Sequence, residues 1–354
     1  MNVDRAPSRI VMVGTSFATR GGISSVVNSL RGAGLFSRWP IEYIESHCDG
    51  SVPRKLYWAA KGLARFAVAL VRYPRAVLHV HTASRASFWR KLVFITLARA
   101  AGWPYIVHLH GGGFARFHAE AAGWQRRLIE SALSHAACVI TVSERWSAWI
   151  RETVPAARVA CVPNPALVRA CRAVREPGLI AFVGRCEAAK GIFDLLEALR
   201  TNCAWHPEAR LECAGDGDLQ AVADHAEALG IRSRVNLRGW IDVEERSRLL
   251  ARATVFVLPS HAEGLPVSLL EAMGAGCAVI ASDAGGIPDV IVNGGNGLLV
   301  PAGDVAALAA ALDHVLRDAL LASRLGSAAR ATVTRNHGPG LAVARLASIY
   351  SEVI

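Results

Sequence analysis

The chain has 354 residues, 52% of them hydrophobic, and its 39 basic against 29 acidic residues give a formal net charge of +10. That length accommodates two domains with a core each, and no apolar stretch reaches the ~18 residues of a spanning helix, which excludes an integral membrane protein. The opening MNVDRAPSRIVMVG lacks a basic stretch followed by a long apolar core, and the eight cysteines show no CxxC or metal-like spacing. Both features point to a reducing, cytoplasmic setting.

The charge is unevenly placed. Residues 1–170 hold 22 Lys/Arg against 8 Asp/Glu, a net of +14, whereas residues 171–354 hold 17 against 21, a net of −4. The basic half has no helix-turn-helix, zinc-finger or aromatic RNP-like pattern, so nucleic acid is not the expected partner.

Taken in chain order, an apolar run at Ile10–Val13 predicts a strand, followed by Gly14-Thr-Ser-Phe-Ala-Thr-Arg-Gly21-Gly22 and a helical pattern. Paired glycines before a helix let a phosphate or sugar approach the backbone, with the helix N-terminus supplying amide donors; the competing reading is a turn with a steric role only. The segment is not GxGxxG, which argues against a dinucleotide-dependent oxidoreductase. Arg54–Arg75 reads as a basic helix with Trp58, Leu63, Phe66 and Leu70 on one side, and Arg85–Trp103 as a second one. Such helices suit an anionic membrane surface, or else they pack on a sheet with their arginines outward.

Strands follow at Val77–Val80, Tyr105–Leu109 and Cys138–Val142. Alternation puts His108 and His110 on one side of their strand, with only His110 abutting the flexible Gly111-Gly112-Gly113 at its carboxyl end, where open α/β sheets bind ligands. Cys161-Val-Pro-Asn-Pro165 and the charged stretch to Pro177 mark a junction.

The second half predicts strands at Leu179–Val183, Arg210–Ala214, Val235–Leu237, Thr254–Leu258 and Ala278–Ala281. After the first of them, Gly184-Arg185-Cys-Glu-Ala-Ala-Lys190-Gly191 offers two cations on a loop opening a helix, a clamp for a diphosphate. Farther on, Pro259 ends a strand and the window Leu265–Ala281 reads as helical. If residues 263–271 were all helical, Glu263 and Glu271 would lie about 12 Å apart along the axis and about 80° apart around it. That is too far to share a proton or a metal, yet suitable for two hydroxyl-bearing groups of one ligand. The plainer reading makes both of them solvated surface charges. Gly340–Ile354 is helical in pattern.

Taken together, Val183-Gly-Arg185…Lys190-Gly191, Pro259-Ser260…Glu263-Gly264…Glu271-Ala-Met and Gly285-Gly286-Ile-Pro resemble the family 4 retaining glycosyltransferases of GT-B fold, over nearly the whole chain. A softer likeness is to exopolysaccharide, capsule and lipopolysaccharide enzymes. The resemblance implies an α/β chain of two doubly wound Rossmann-like domains facing across a cleft: 1–170 for the acceptor, 171–335 for the donor, and 336–354 as a helix crossing back. It further implies that Glu263, with Gly264 and Leu265, binds the transferred sugar and that Glu271 binds the ribose. Arg185 and Lys190 would neutralise the diphosphate, Gly21 and Gly22 would border donor and acceptor, and His110 would touch the sugar near its reacting carbon. Two departures stand out: Asp289 where the family has glutamate, and Pro165 where an Asn-Gly turn is common.

The expected activity is hexosyl transfer from GDP-mannose or a UDP-hexose to a polyprenyl-diphosphate-linked or other lipid-linked glycan, at the inner face of the cell membrane. No metal or other cofactor is expected, because the two cations replace it. The rivals are a sugar-nucleotide epimerase and a non-enzymatic membrane scaffold.

Overall fold

All nine apolar runs become strands. In the computed structural model, which describes residues 9–168 and 174–354, the chain divides into two units, Met1–Pro165 with Pro339–Ile354, and Ala166–Gly338. The expected 170/171 boundary falls among residues 169–173, outside the described residues.

The first unit runs β1 (Arg9–Gly14), α1 (Gly22–Gly32), α2 (Leu35–Arg38), β2 (Ile41–Glu45), α3 (Val52–Arg72), β3 (Ala76–Thr82), α4 (Ala86–Ala100) and β4 (Tyr105–Leu109). It continues with α5 (Phe114–Glu120), α6 (Gly123–Ser134), β5 (Cys138–Thr141), α7 (Glu144–Thr153) and β6 (Val159–Cys161). The strands form one parallel sheet in the order β2-β1-β3-β4-β5-β6. Buried residues of the central strands, among them Val11, Leu78, Val80 and Val107, pack with Phe66 of α3, Phe88 and Phe94 of α4 and Ile129 of α6. Each such aromatic contributes about 1.5–3 kcal/mol by leaving water.

The second unit runs β7 (Glu176–Val183), α8 (Ile192–Cys203), β8 (Arg210–Ala214), α9 (Leu219–Ala228), β9 (Val235–Gly239), α10 (Val243–Arg252) and β10 (Ala253–Leu258). Then come α11 (Val267–Gly274), β11 (Ala278–Ser282), β12 (Leu298–Val300), α12 (Val305–Arg317) and α13 (Ala319–Asn336). Its parallel sheet is ordered β12-β11-β10-β7-β8-β9. The last helix, α14 (Pro339–Val353), belongs to the first unit, where Tyr350 is fully buried and its ring meets Trp39 edge-on at 5.4 Å.

Two readings are corrected. The strands β2, β6 and β12, absent from the sequence reading, are all sheet edges and only partly buried, so they lack the continuous apolar run of a central parallel strand. The helical window from Leu265 to Ala281 is a short helix followed by a strand: Gly276, at φ +72°, stops α11, and β11 begins two residues later. Glu263 therefore stands in the loop before α11 and not on the helix with Glu271. In α3 the expected apolar side is present, with Leu63 and Leu70 packed beside Phe66, and a second set of apolar residues lies outside it. Phe66 and Ala69 face the core, whereas Leu56, Val68 and Val71 face outward, Val71 at 88% exposure. Among the described residues no helix is long and apolar enough to cross a membrane.

Candidate active site

In the second sheet the strand order reverses between β7 and β10, and the carboxyl ends of the strands flanking such a reversal are where open α/β sheets leave room for a ligand. The loops after β7, β10 and β11 interlock there. The His261 amide donates to the Ala189 carbonyl at 3.0 Å, and the Gly286 amide to the Gly264 carbonyl at 2.7 Å. Two glycines make this approach possible. Gly191, at φ +70°, would place a Cβ 2.0 Å from the Pro259 carbonyl oxygen, and Gly285, at φ +55°, would place one 1.8 Å from that of Glu263. Both positions are closed to any side chain by backbone conformation and by space.

Interlocking brings together Lys190 and Glu263, which the sequence reading had placed on separate parts of a ligand. The Lys190 Nζ donates to Glu263 Oε1 at 2.7 Å, with the lysine side chain 26% and the glutamate side chain 8% exposed. A carboxylate so far from water is expected to be paired. Arg185 lies on the same loop, largely exposed, at 3.7 Å from both Glu187 and Asp216, a looser and screened arrangement that leaves its guanidinium accessible. Leu265 is buried, and Gly264 contributes the carbonyl already named. Glu271 on α11 accepts from Arg246 of α10 at 2.7 Å, a partner that the sequence reading missed because the two residues meet only through helix packing. Asp289 falls in the short turn Ile287–Asp289 behind Gly286.

In the first sheet the reversal lies between β1 and β3. Gly21 caps α1, and a Cβ at either Gly21 or Gly22 would meet nothing within 4 Å, so the backbone there is open to a ligand. His110 follows β4, its amide bonded to the Thr82 carbonyl and its Nε2 to His81 Nδ1 at 2.8 Å. His81 belongs to a stack that sequence spacing alone did not reveal. His79 and His81 of β3 stack at 4.5 Å, His108 of β4 and His110 just after it at 4.2 Å, and His79 Nδ1 bonds the Tyr350 hydroxyl at 2.7 Å. The signal was present as two His-x-His repeats; that the strands are neighbours in register, with His81 opposite His108, is a tertiary fact.

Burial is the main cause that lowers the pKa values of these rings: His79 to about 3, partly through His110, and His110 to about 4, with Asn164 partly offsetting the fall. His81 and His108 lie well below the usual value, again through burial first and neighbouring histidines second. All four are neutral at pH 7, so His110 meets a ligand as an imidazole and not as a cation. Ring nitrogens of His79, His81 and His108 come within 4.8 Å of one another, a cluster that can hold a metal ion among the described residues.

Comparison with known proteins matches residues 169–332 to the model described as glycosyl transferases group 1, and residues 23–165 to the glycosyl transferase 4-like domain. A glycogen synthase of Mycobacterium tuberculosis is 37% identical over 45% of this chain and 38% of its own length. The amylovoran biosynthesis glycosyltransferase AmsK of Erwinia amylovora is 33% identical over 57% of this chain and 51% of its own. The match thus spans about half or less of those relatives. Anabaena Alr3699/HepE, solved in complex with UDP-glucose, superposes with a TM-score of 0.78 at 18% identity, over 97% of this chain and 99% of that one. One matching domain model in each unit, on two parallel six-stranded sheets, identifies the chain as a member of the family 4 glycosyltransferases, with the GT-B fold.

Proposed function

We propose that the chain moves a hexosyl group, with retention of configuration, from GDP-mannose or a UDP-hexose to a lipid-linked oligosaccharide in cell-surface polysaccharide synthesis. The observation that carries this reading is the Lys190–Glu263 pair at the β7/β10 reversal. It sets a cation suited to a diphosphate beside a carboxylate suited to sugar hydroxyls. Arg185 and Lys190 take up the charge that develops on the departing diphosphate, an electrostatic contribution that needs no covalent intermediate. Glu263, with the Gly264–Leu265 backbone, holds the sugar, and Glu271, fixed by Arg246, accepts from the ribose hydroxyls. His110, neutral at pH 7, donates or accepts a hydrogen bond near the reacting carbon, and Gly21 and Gly22 admit ligand to the backbone. In a front-face displacement the leaving phosphate takes the acceptor's proton, so no protein nucleophile is required.

The relatives' names support the donor and pathway class: HepE was solved with UDP-glucose, and AmsK is named for amylovoran biosynthesis. The excess basic charge of residues 1–170 and the outward Leu56, Val68 and Val71 of α3 support peripheral attachment to the anionic inner face of the membrane. No metal takes part in the proposed transfer, since Arg185 and Lys190 provide the positive charge.

Purified full-length protein given labelled UDP-hexoses or GDP-mannose and a lipid-linked acceptor extract is expected to form a labelled glycolipid, and to do so after EDTA treatment. Absence of turnover with every donor would refute the transfer. A sugar altered without acceptor would replace it with epimerisation.

A further inference from the structure

Lys91 of α4 is 1% exposed, and no carboxylate among the described residues pairs with it. Its ammonium donates to Ser46 Oγ, which in turn donates to the Gly14 carbonyl at 2.8 Å. One of three donors is thereby used. The neighbouring Arg90 is half-buried, makes no hydrogen bond or ion pair among the described residues, and has a buried, unpartnered Nε. His47, next to Ser46, feels both cations and Lys55 against the single carboxylate of Asp49. In the loop after β1, the buried hydroxyls of Thr15 and Thr19 also lack partners. These groups come from the ends of β1 and β2 and from the helix after β3, the position where the first sheet reverses its strand order.

A buried lysine beside a half-buried arginine, with spare donors and almost no counter-charge, is costly unless an anion completes the group. The burial of Lys91 and the charge of Arg90 draw its pKa down to about 7, the direction expected of an amine whose anionic partner is absent.

We propose that Lys91, Arg90 and His47 bind a phosphate or diphosphate group, and that its source is the lipid diphosphate of the acceptor. The assignment to the acceptor rests on the transferase reading above; the anion site itself does not. Lys91 and Arg90 supply charge-assisted donors, and Arg90 and His47 are the partly exposed members of the group. The cations Arg185 and Lys190 belong to the other unit and serve the donor.

The test titrates inorganic pyrophosphate and farnesyl diphosphate calorimetrically into full-length protein carrying Arg185→Ala and Lys190→Ala, which removes the donor-side cations. Pyrophosphate is expected to bind still, Arg90→Gln to weaken it about tenfold, and Lys91→Met to weaken it at least as much, in line with charged hydrogen bonds. Farnesyl diphosphate is expected to bind more tightly than pyrophosphate. No binding in the double variant, or binding indifferent to Arg90→Gln, overturns the site. Equal affinity for the two probes overturns the lipid assignment. Should Lys91→Met fail to fold, as judged by circular dichroism, Arg90→Gln decides alone. Because the titration needs no turnover, failure of the transferase reading and failure of the anion site are read separately.

Discussion

Glu263 and Lys190 pair with one another in the free protein, so under the proposed function a diphosphate at this loop shares a lysine that already has a partner. Removing one member strands the other in a partly buried place, and single substitutions therefore overstate what each contributes. Glu263→Gln and Lys190→Ala are each expected to lower kcat/KM by about 10²–10³-fold, and the double variant by less than the product of the two. Full additivity in that cycle would show that the pair is incidental to catalysis. In the proposed reaction His81 acts through His110: the bond between its Nδ1 and His110 Nε2 holds the orientation of the His110 ring. His81→Phe keeps a flat ring in the stack and removes the bond. It is expected to reduce kcat by about tenfold with the donor KM unchanged, whereas a merely structural role would lower folded yield and leave the kinetics of the remaining folded enzyme intact.

Elements are held in place by features that act over a few residues. The loops after β7, β10 and β11 meet only because Gly191 and Gly285 adopt positive φ beside carbonyl oxygens. Gly285→Ala is expected to destabilise the second unit by more than about 1 kcal/mol, read from a denaturant midpoint, and to abolish nucleotide-sugar binding. The helix α3 makes the opposite prediction. Leu56 and Val71 touch solvent, so Leu56→Glu with Val71→Glu is expected to leave stability within about 0.5 kcal/mol yet to release the protein from vesicles containing anionic lipid. Unchanged vesicle co-sedimentation would count against α3 as the attachment face.

At the scale of the molecule, three buried histidines and the partly buried His110, all neutral at pH 7, tie stability to pH. Their pKa values are about 6.5 in the unfolded chain and lower in the folded one, at about 3 for His79 and about 4 for His110. As pH falls below 6.5 the unfolded chain takes up protons that the folded chain refuses. The stability these rings contribute is thus complete above 6.5 and is lost as pH falls towards their folded values, at about 1.4 kcal/mol per pH unit for each proton. Urea midpoints are expected to drop steeply between pH 6.5 and 4, and His79→Phe to lessen that slope by about one proton. A flat midpoint over this range would contradict the burial of the stack. Charge is divided by unit as well. The basic residues concentrate in 1–170, and in the second unit part of the acidic excess is spent on ion pairs such as Arg252 with Glu176 and Glu212.

What the sequence alone determined was whatever is written locally. Continuous Val/Ile/Leu runs specify the buried central strands, because a parallel strand covered on both faces needs apolar residues throughout. The glycine-flanked loop with Arg185 and Lys190 was equally legible, whereas the helical spacing read for Glu263 and Glu271 was not kept, because α11 starts only at Val267. The half-covered edges β2, β6 and β12 were not, because partial burial leaves no continuous pattern to read. Only the tertiary structure decided the Lys190–Glu263 and Arg246–Glu271 pairs, the histidine stack closed by Tyr350 and the unpaired cations around Lys91. The physical reason is range: strand and helix periods act over a few residues, whereas Arg246 meets Glu271 across 25 positions, Lys190 meets Glu263 across 73 and His79 meets Tyr350 across 271, contacts that exist only once packing has excluded water between them.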